Sequence, residues 1–270
     1  MVKTHNLKRN DAMSKHYIYV IEQDPEPYDP RKENDGYLGT MWCAHRRYNL
    51  GDEMFDGDAK DLMKQLVEIK EPGFTDRCDN KFGDYITDRE ERKERERQEW
   101  SYIEKAFDKY YLSRNLYLYD HSGLAMNTGG FSCHWDSGQV GMIVASKEKV
   151  REHFMVRAVT KKVYERAMEV LDSEVKEYSQ YLEGDVYGFR VLEVPDHIIE
   201  EYYSTDPDYD LQEVVEYIDP KDCEEVESCW GFYGDQYAIE EAKDMVEYLE
   251  RTYDERLAKD AGQLLLPLAA

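Results

Sequence analysis

The residues best suited to chemistry sit in one stretch, Asn115 to Ala145, which holds Asp120, His121, Ser122, Cys133, His134, Asp136 and Ser137. A thiol nucleophile needs a base within reach and a third group that orients the base. Cys133, His121 and either Asp120 or Asp136 supply those types, and the neighbouring glycines can offer backbone N–H groups to an oxyanion. His134 follows Cys133 directly and points to the opposite side of an extended chain, so His121 is the imidazole able to face the thiol. A Cys-dependent hydrolase or transferase is therefore one reading. The competing reading packs Cys133 and Trp135 into the core and uses Asp120, Ser122, Asp136 and Ser137 to cap turns. The stretch contains no motif of a known hydrolase, and this favours the second.

Metal chemistry has less support. Cys43 and His45 fall at i and i+2 on one face of an expected strand, and Cys133 with His134 could complete four zinc ligands. Neither pair has the CxxC or HxxxH spacing of a structural site. The acidic run Asp206 to Asp210 lacks the glycine and terminal glutamate of an EF-hand loop. There is no glycine-rich phosphate loop, no GxSxG and no HExxH, so neither a metal nor another cofactor is expected.

The elements that must carry these side chains follow from periodicity. Leu116 to Tyr119 and Val140 to Ala145 read as buried strands on either side of the reactive loop. His16 to Glu22, Thr40 to His45, Asp185 to Val194 and Glu227 to Tyr233 are further strands. The Pro- and Gly-rich stretch from Pro25 to Gly39 argues against regular structure. Helices are expected over Asp58 to Lys70, stopped by Pro72-Gly73, and over Asp88 to Tyr111. Others are expected after Ser146, from Thr160 to Gly184 and from Gln236 to Leu257, with one short helix or turn over His197 to Tyr203. Over Asp88 to Glu99 six acids face five bases, which describes a solvated helix face rather than a basic nucleic-acid arm. Strands and helices are mixed without regular βαβ alternation. That order predicts an α+β fold, a mostly antiparallel sheet of about five to six strands packed with three to five helices. One domain is expected over 16–257, with a sub-boundary near 195, a flexible leader over 1–15 and a tail over 258–270.

Charge narrows the function. The chain has 59 acidic and 35 basic residues, a formal net charge of -24. From Glu193 to Leu257 there are 22 acids and four bases, so a net of -18 lies in that segment. Such a field repels nucleic acid and anionic membrane and attracts cations or basic protein surfaces. Five cysteines and no apolar leader point to a reduced cytoplasm. No apolar run approaches the roughly 18 residues that span a bilayer.

On the last helix, Glu240, Asp244 and Glu247 form a ladder that Asp254 extends and Arg251 interrupts, and Glu224, Glu225, Asp208 and Asp210 add acids upstream. Acids repeating every turn on one face can imitate the charge array of a nucleic-acid backbone. Eight tyrosines in the same segment can anchor a protein interface. The partner expected is a protein with a basic surface, such as a nucleic-acid-binding defence protein. A homo-oligomer stays open, and so does a purely structural interaction protein whose charge serves solubility.

Five stretches, Leu38 to Asp52, Tyr117 to Gly123, Phe131 to Ile143, Tyr181 to Phe189 and Ser228 to Gly234, together resemble a family of acidic proteins encoded by bacteriophages and other mobile elements. No activity is established for that family, so it brings no catalytic residues. The resemblance implies a genomic setting in the host cell cytoplasm, where acidic accessory proteins often inhibit restriction or CRISPR machinery.

Overall fold

A computed structural model describes residues 2–3, 15–33, 36–84, 86–205 and 218–264, the side chains of 2–3, 33, 202–205 and 254–264 set aside. The chain opens with β1 (Val2–Lys3), β2 (His16–Gln23), α1 (Pro30–Glu33), β3 (Thr40–Cys43) and β4 (Glu53–Met54). Three helices follow, α2 (Ala59–Lys70), α3 (Phe74–Phe82) and α4 (Arg89–Phe107), then β5 (Tyr111–Asp120), β6 (Leu124–Asn127) and β7 (Ser137–Ser146). The last elements are α5 (Lys147–His153), α6 (Lys161–Glu183), β8 (Val186–Val194), α7 (Asp196–Thr205), β9 (Glu224–Tyr233) and α8 (Asp235–Leu264).

The fold is α+β and all but one of the strand pairings are antiparallel, the exception being β3 with β4. The strands are divided between two sheets, β1-β2-β8-β9 and β4-β3-β7-β5-β6, rather than collected in one of five to six. Eight α-helices occur among the described residues, where three to five were expected. Two compact units result. One is built from both ends of the chain, Met1–Tyr28 with Gly184–Ala270, and the other is the insertion Asp29–Glu183. The sequence reading of one domain over 16–257 with a boundary near 195 does not contain this division. It arises because β2 pairs with β8 across nearly the whole chain, His16 opposite Val194 and Gln23 opposite Tyr187.

In the inserted unit the sheet is covered on both faces, which explains the unbroken apolar run in β7. Ile143 and Ala145 belong to a core with Ala167, Leu171, Val175 and Tyr178 of α6. Met142 and Val144 face the other way, with Leu62, Leu66 and Val67 of α2, Phe74 and Cys78 of α3, and Ile103 and Phe107 of α4. The start of α2 is fixed by a reciprocal cap: Asp58 accepts from the Lys60 and Asp61 N–H groups, and Asp61 accepts from the Asp58 N–H.

In the unit formed from the two ends, α8 lies on one face of the sheet. Ala238, Ile239, Ala242 and Val246 pack on Tyr17, Tyr19, Ile21, Phe189 and Val191. The opposite face buries Ile18, Val20, Leu192 and Val194 with Ile199 and Ile218. Gly184, at φ 71°, supplies the left-handed stop just beyond α6, as its position in the sequence predicts.

Several boundaries move. The helix read as running to Tyr111 ends at Phe107, and Tyr111 opens β5, its hydroxyl donating to the Leu66 carbonyl at 2.9 Å. Strand β3 stops at Cys43, so Cys43 and His45 do not share a strand face. One short helix, α1, lies in the stretch read as irregular. Within the leader, Val2 and Lys3 pair with Val20 and Tyr19. Most of the leader and the end of the tail lie outside the described residues. No helix among the described residues is long and apolar enough to cross a membrane.

Candidate functional site

Two features of the fold gather polar and aromatic side chains. The first is a cleft at one end of the inserted sheet. It is assembled from the chain leaving β3 (44–47), the end of β5 (Leu118 and Asp120) and the chain entering β7 (135–140), and it is a wide-mouthed cleft of about 580 Å³. Backbone hydrogen bonds fix these segments: Ala44 N–H to the Val140 carbonyl at 2.8 Å, and Asp120 N–H to the Asp136 carbonyl at 2.8 Å.

Three of the predicted reactive residues, Cys133, His121 and Asp136, do converge beside this cleft. The Cys133 thiol donates to Asp136 Oδ2 at 3.4 Å, and His121 Nδ1 lies 3.7 Å from the same oxygen. Asp136 thus gathers the thiol and the imidazole at one carboxylate oxygen, and each of the two groups is engaged with Asp136. Asp120 is engaged elsewhere, ion-paired with Arg47 and accepting from the Tyr48 hydroxyl at 3.3 Å. His134 is exposed, and Cys43 is buried with its thiol pushed up to about 12, by burial first and then by the charge of Asp52. No group of three or more His, Cys, Asp or Glu among the described residues is placed to hold a metal ion.

Trp135 corrects the packing expectation. Its side chain is 97% exposed, so it is not part of the core, and it lines the cleft. The loop is anchored instead by the polar groups around it, including the Ser137 hydroxyl, which donates to the Cys133 carbonyl.

The basic side of the cleft was missed from sequence. His45 Nδ1 accepts from the Arg47 and Tyr48 N–H groups, both at 3.3 Å, and its ring stacks on Tyr48 at 5.0 Å. An Nδ1 that accepts leaves the ring proton on Nε2 as a donor. Arg46 is exposed and makes no ion pair among the described residues. The available signal was the basic doublet directly after an apolar strand in an acidic chain.

The second feature is the acidic surface of the other unit. That unit has 28 acids and 10 bases, a net of -18, whereas the inserted unit has 31 and 25, a net of -6. With one face of α8 buried, the outer face exposes Tyr237, Glu240, Glu241, Lys243, Asp244, Glu247 and Tyr248. On strand β9, Glu224, Glu225 and Glu227 are exposed, and Glu225 accepts from Arg190 at 3.3 Å. Trp230 lies in the same strand and is 41% exposed. The side chain of Asp254 and both Asp208 and Asp210 lie outside the described residues.

Compared with protein-family models, with curated proteins and with solved structures, the chain matches none.

Proposed function

We propose that this protein acts by binding, and that its acidic unit occupies the basic, nucleic-acid-gripping surface of a partner protein. The observation that carries the reading is the outer face of α8. There Glu240, Glu241, Asp244 and Glu247 project, with Lys243 as the single base among them, from about 10 Å of helix axis, flanked by Tyr237 and Tyr248. A partner that neutralises phosphates with Lys and Arg meets a row of carboxylates here, at a lower linear charge density than that of duplex DNA. The tyrosines add the amphipathic contacts that make an interface specific. The concentration of charge in one unit supports a dedicated surface over charge spread for solubility. In the setting implied by the family resemblance, the partner is a host defence protein and the outcome is its inhibition.

The reading is tested by capturing proteins from host lysate on the immobilised chain at low and at high salt, beside a variant with Glu240, Asp244 and Glu247 changed to Lys. Partners held through charge are retained at low salt, released at high salt and absent from the variant. Retention that ignores both salt and the three substitutions speaks against it.

A further inference from the structure

We propose that the cleft of the inserted unit is a binding site for a nucleoside phosphate. The inference is independent of the acidic surface and concerns residues that surface does not use.

An indole left almost entirely in water at the rim of a cleft is a stacking platform, since every nucleobase has a π-face and base–aromatic stacking tolerates any base. Trp135 is 97% exposed and lines the cleft. The anionic end of the ligand is met by Arg46, an exposed cation without an ion-pair partner among the described residues. Arg47 is already held by Asp120, so it is the weaker candidate for the phosphate. The remaining polar groups suit a base or sugar. His45 has Nε2–H to donate, Gln139 lines the wall with an amide that also reaches Asn115 at 3.3 Å, and Asp136 can accept from an exocyclic amine.

Size and charge choose a mononucleotide over a polymer. A cleft of about 580 Å³ falls within the volume range of small-molecule sites. A nucleic-acid strand would have to approach a chain of net charge -24, whereas one nucleotide brings few charges of its own.

The test is a titration of the full chain with the common 5′-nucleoside monophosphates, followed by calorimetry and by tryptophan emission, with free nucleosides and inorganic phosphate as controls. At least one nucleotide is expected to bind and to quench emission, and to bind more tightly than either control. Trp135→Ala should weaken nucleotide binding roughly tenfold through lost stacking. Arg46→Ala should weaken nucleotides while leaving nucleosides unchanged. Both side chains are exposed, so circular dichroism should show both variants folded as the wild type. The proposal is overturned if no nucleotide binds, if inorganic phosphate or the nucleosides bind as tightly as the nucleotides, or if either substitution leaves nucleotide affinity unchanged.

Discussion

Arg31 and Glu174 form a buried ion pair, Nη1 to Oε2 at 3.4 Å, with side chains 1% and 8% exposed. Arg31 also pairs with Asp52 and donates to the Gly39 carbonyl at 2.8 Å, while Glu174 accepts from the Leu38 and Gly39 N–H groups. This network clamps the segment entering β3, and so the loop that supplies His45, Arg46 and Arg47, to α6. Replacing Arg31 by Met leaves Glu174 buried without its counter-charge, and the expected cost is about 3–5 kcal/mol. Denaturant unfolding measures it, and a loss below about 1 kcal/mol would show that the clamp is not structural.

A second charge cluster sets an acid limit. Glu99 of α4 meets Lys60 at 2.9 Å and Lys64 at 3.0 Å, both on α2. Burial raises its carboxyl, but hydrogen bonds and charge from the two lysines outweigh that, and the pKa lies below the ordinary glutamate value. The unfolded chain therefore takes up the proton first as the pH falls. The contribution of Glu99 is complete above the ordinary glutamate range and is lost as the pH falls through the depressed value. Glu99→Gln should cost about 1 kcal/mol at neutral pH, and the difference from wild type should shrink in acid. A difference that stays constant through the carboxylate range would contradict this.

The Trp230 ring closes over Gly188 of the adjacent strand, where an added Cβ would sit 2.2 Å from the ring and 2.8 Å from the Cys229 carbonyl. Gly188→Ala must lift the indole, at a cost of about 1–3 kcal/mol, and should shift tryptophan emission to the red. Unchanged emission and stability would mean that the ring does not rest there.

The thiols should react in the order of their exposure. Cys229 is exposed, whereas Cys43 and Cys78 are buried with their pKa values raised by burial. With iodoacetamide at neutral pH, mass spectrometry should find Cys229 labelled first and Cys43 and Cys78 only after unfolding. Labelling of Cys43 in the native protein would be inconsistent with its place in the core.

Local signals carried much of the fold. The apolar repeat of Leu62, Met63, Leu66 and Val67 with the Pro72-Gly73 stop marked α2 almost to the residue, and Gly184 marked the end of α6. Tyr111 was misassigned because Trp100, Ile103, Phe107 and Tyr111 keep a helical repeat through the turn that ends α4. Helix α3 was overlooked because Phe74, Cys78 and Phe82 mark its apolar face in an otherwise polar run. Cys133, Asp136 and His121 could be grouped because they are near in sequence. That thiol and imidazole both approach the same Asp136 oxygen depends on the turns of the loop. Arg46 and Arg47 reach the cleft only through the pairing of β3 with β7, Cys43 opposite Gly141, a register that periodicity cannot supply. The two-sheet division is hidden for the same reason.

The central claim concerns competition for a basic groove, and displacement of DNA tests it most directly. The protein captured at low salt would be purified and its affinity for duplex DNA measured with increasing amounts of this chain. The account predicts that DNA is displaced, and that the variant with Glu240, Asp244 and Glu247 changed to Lys displaces it at least roughly tenfold less well. Simultaneous binding of DNA and this chain, or equal displacement by the variant, would contradict it.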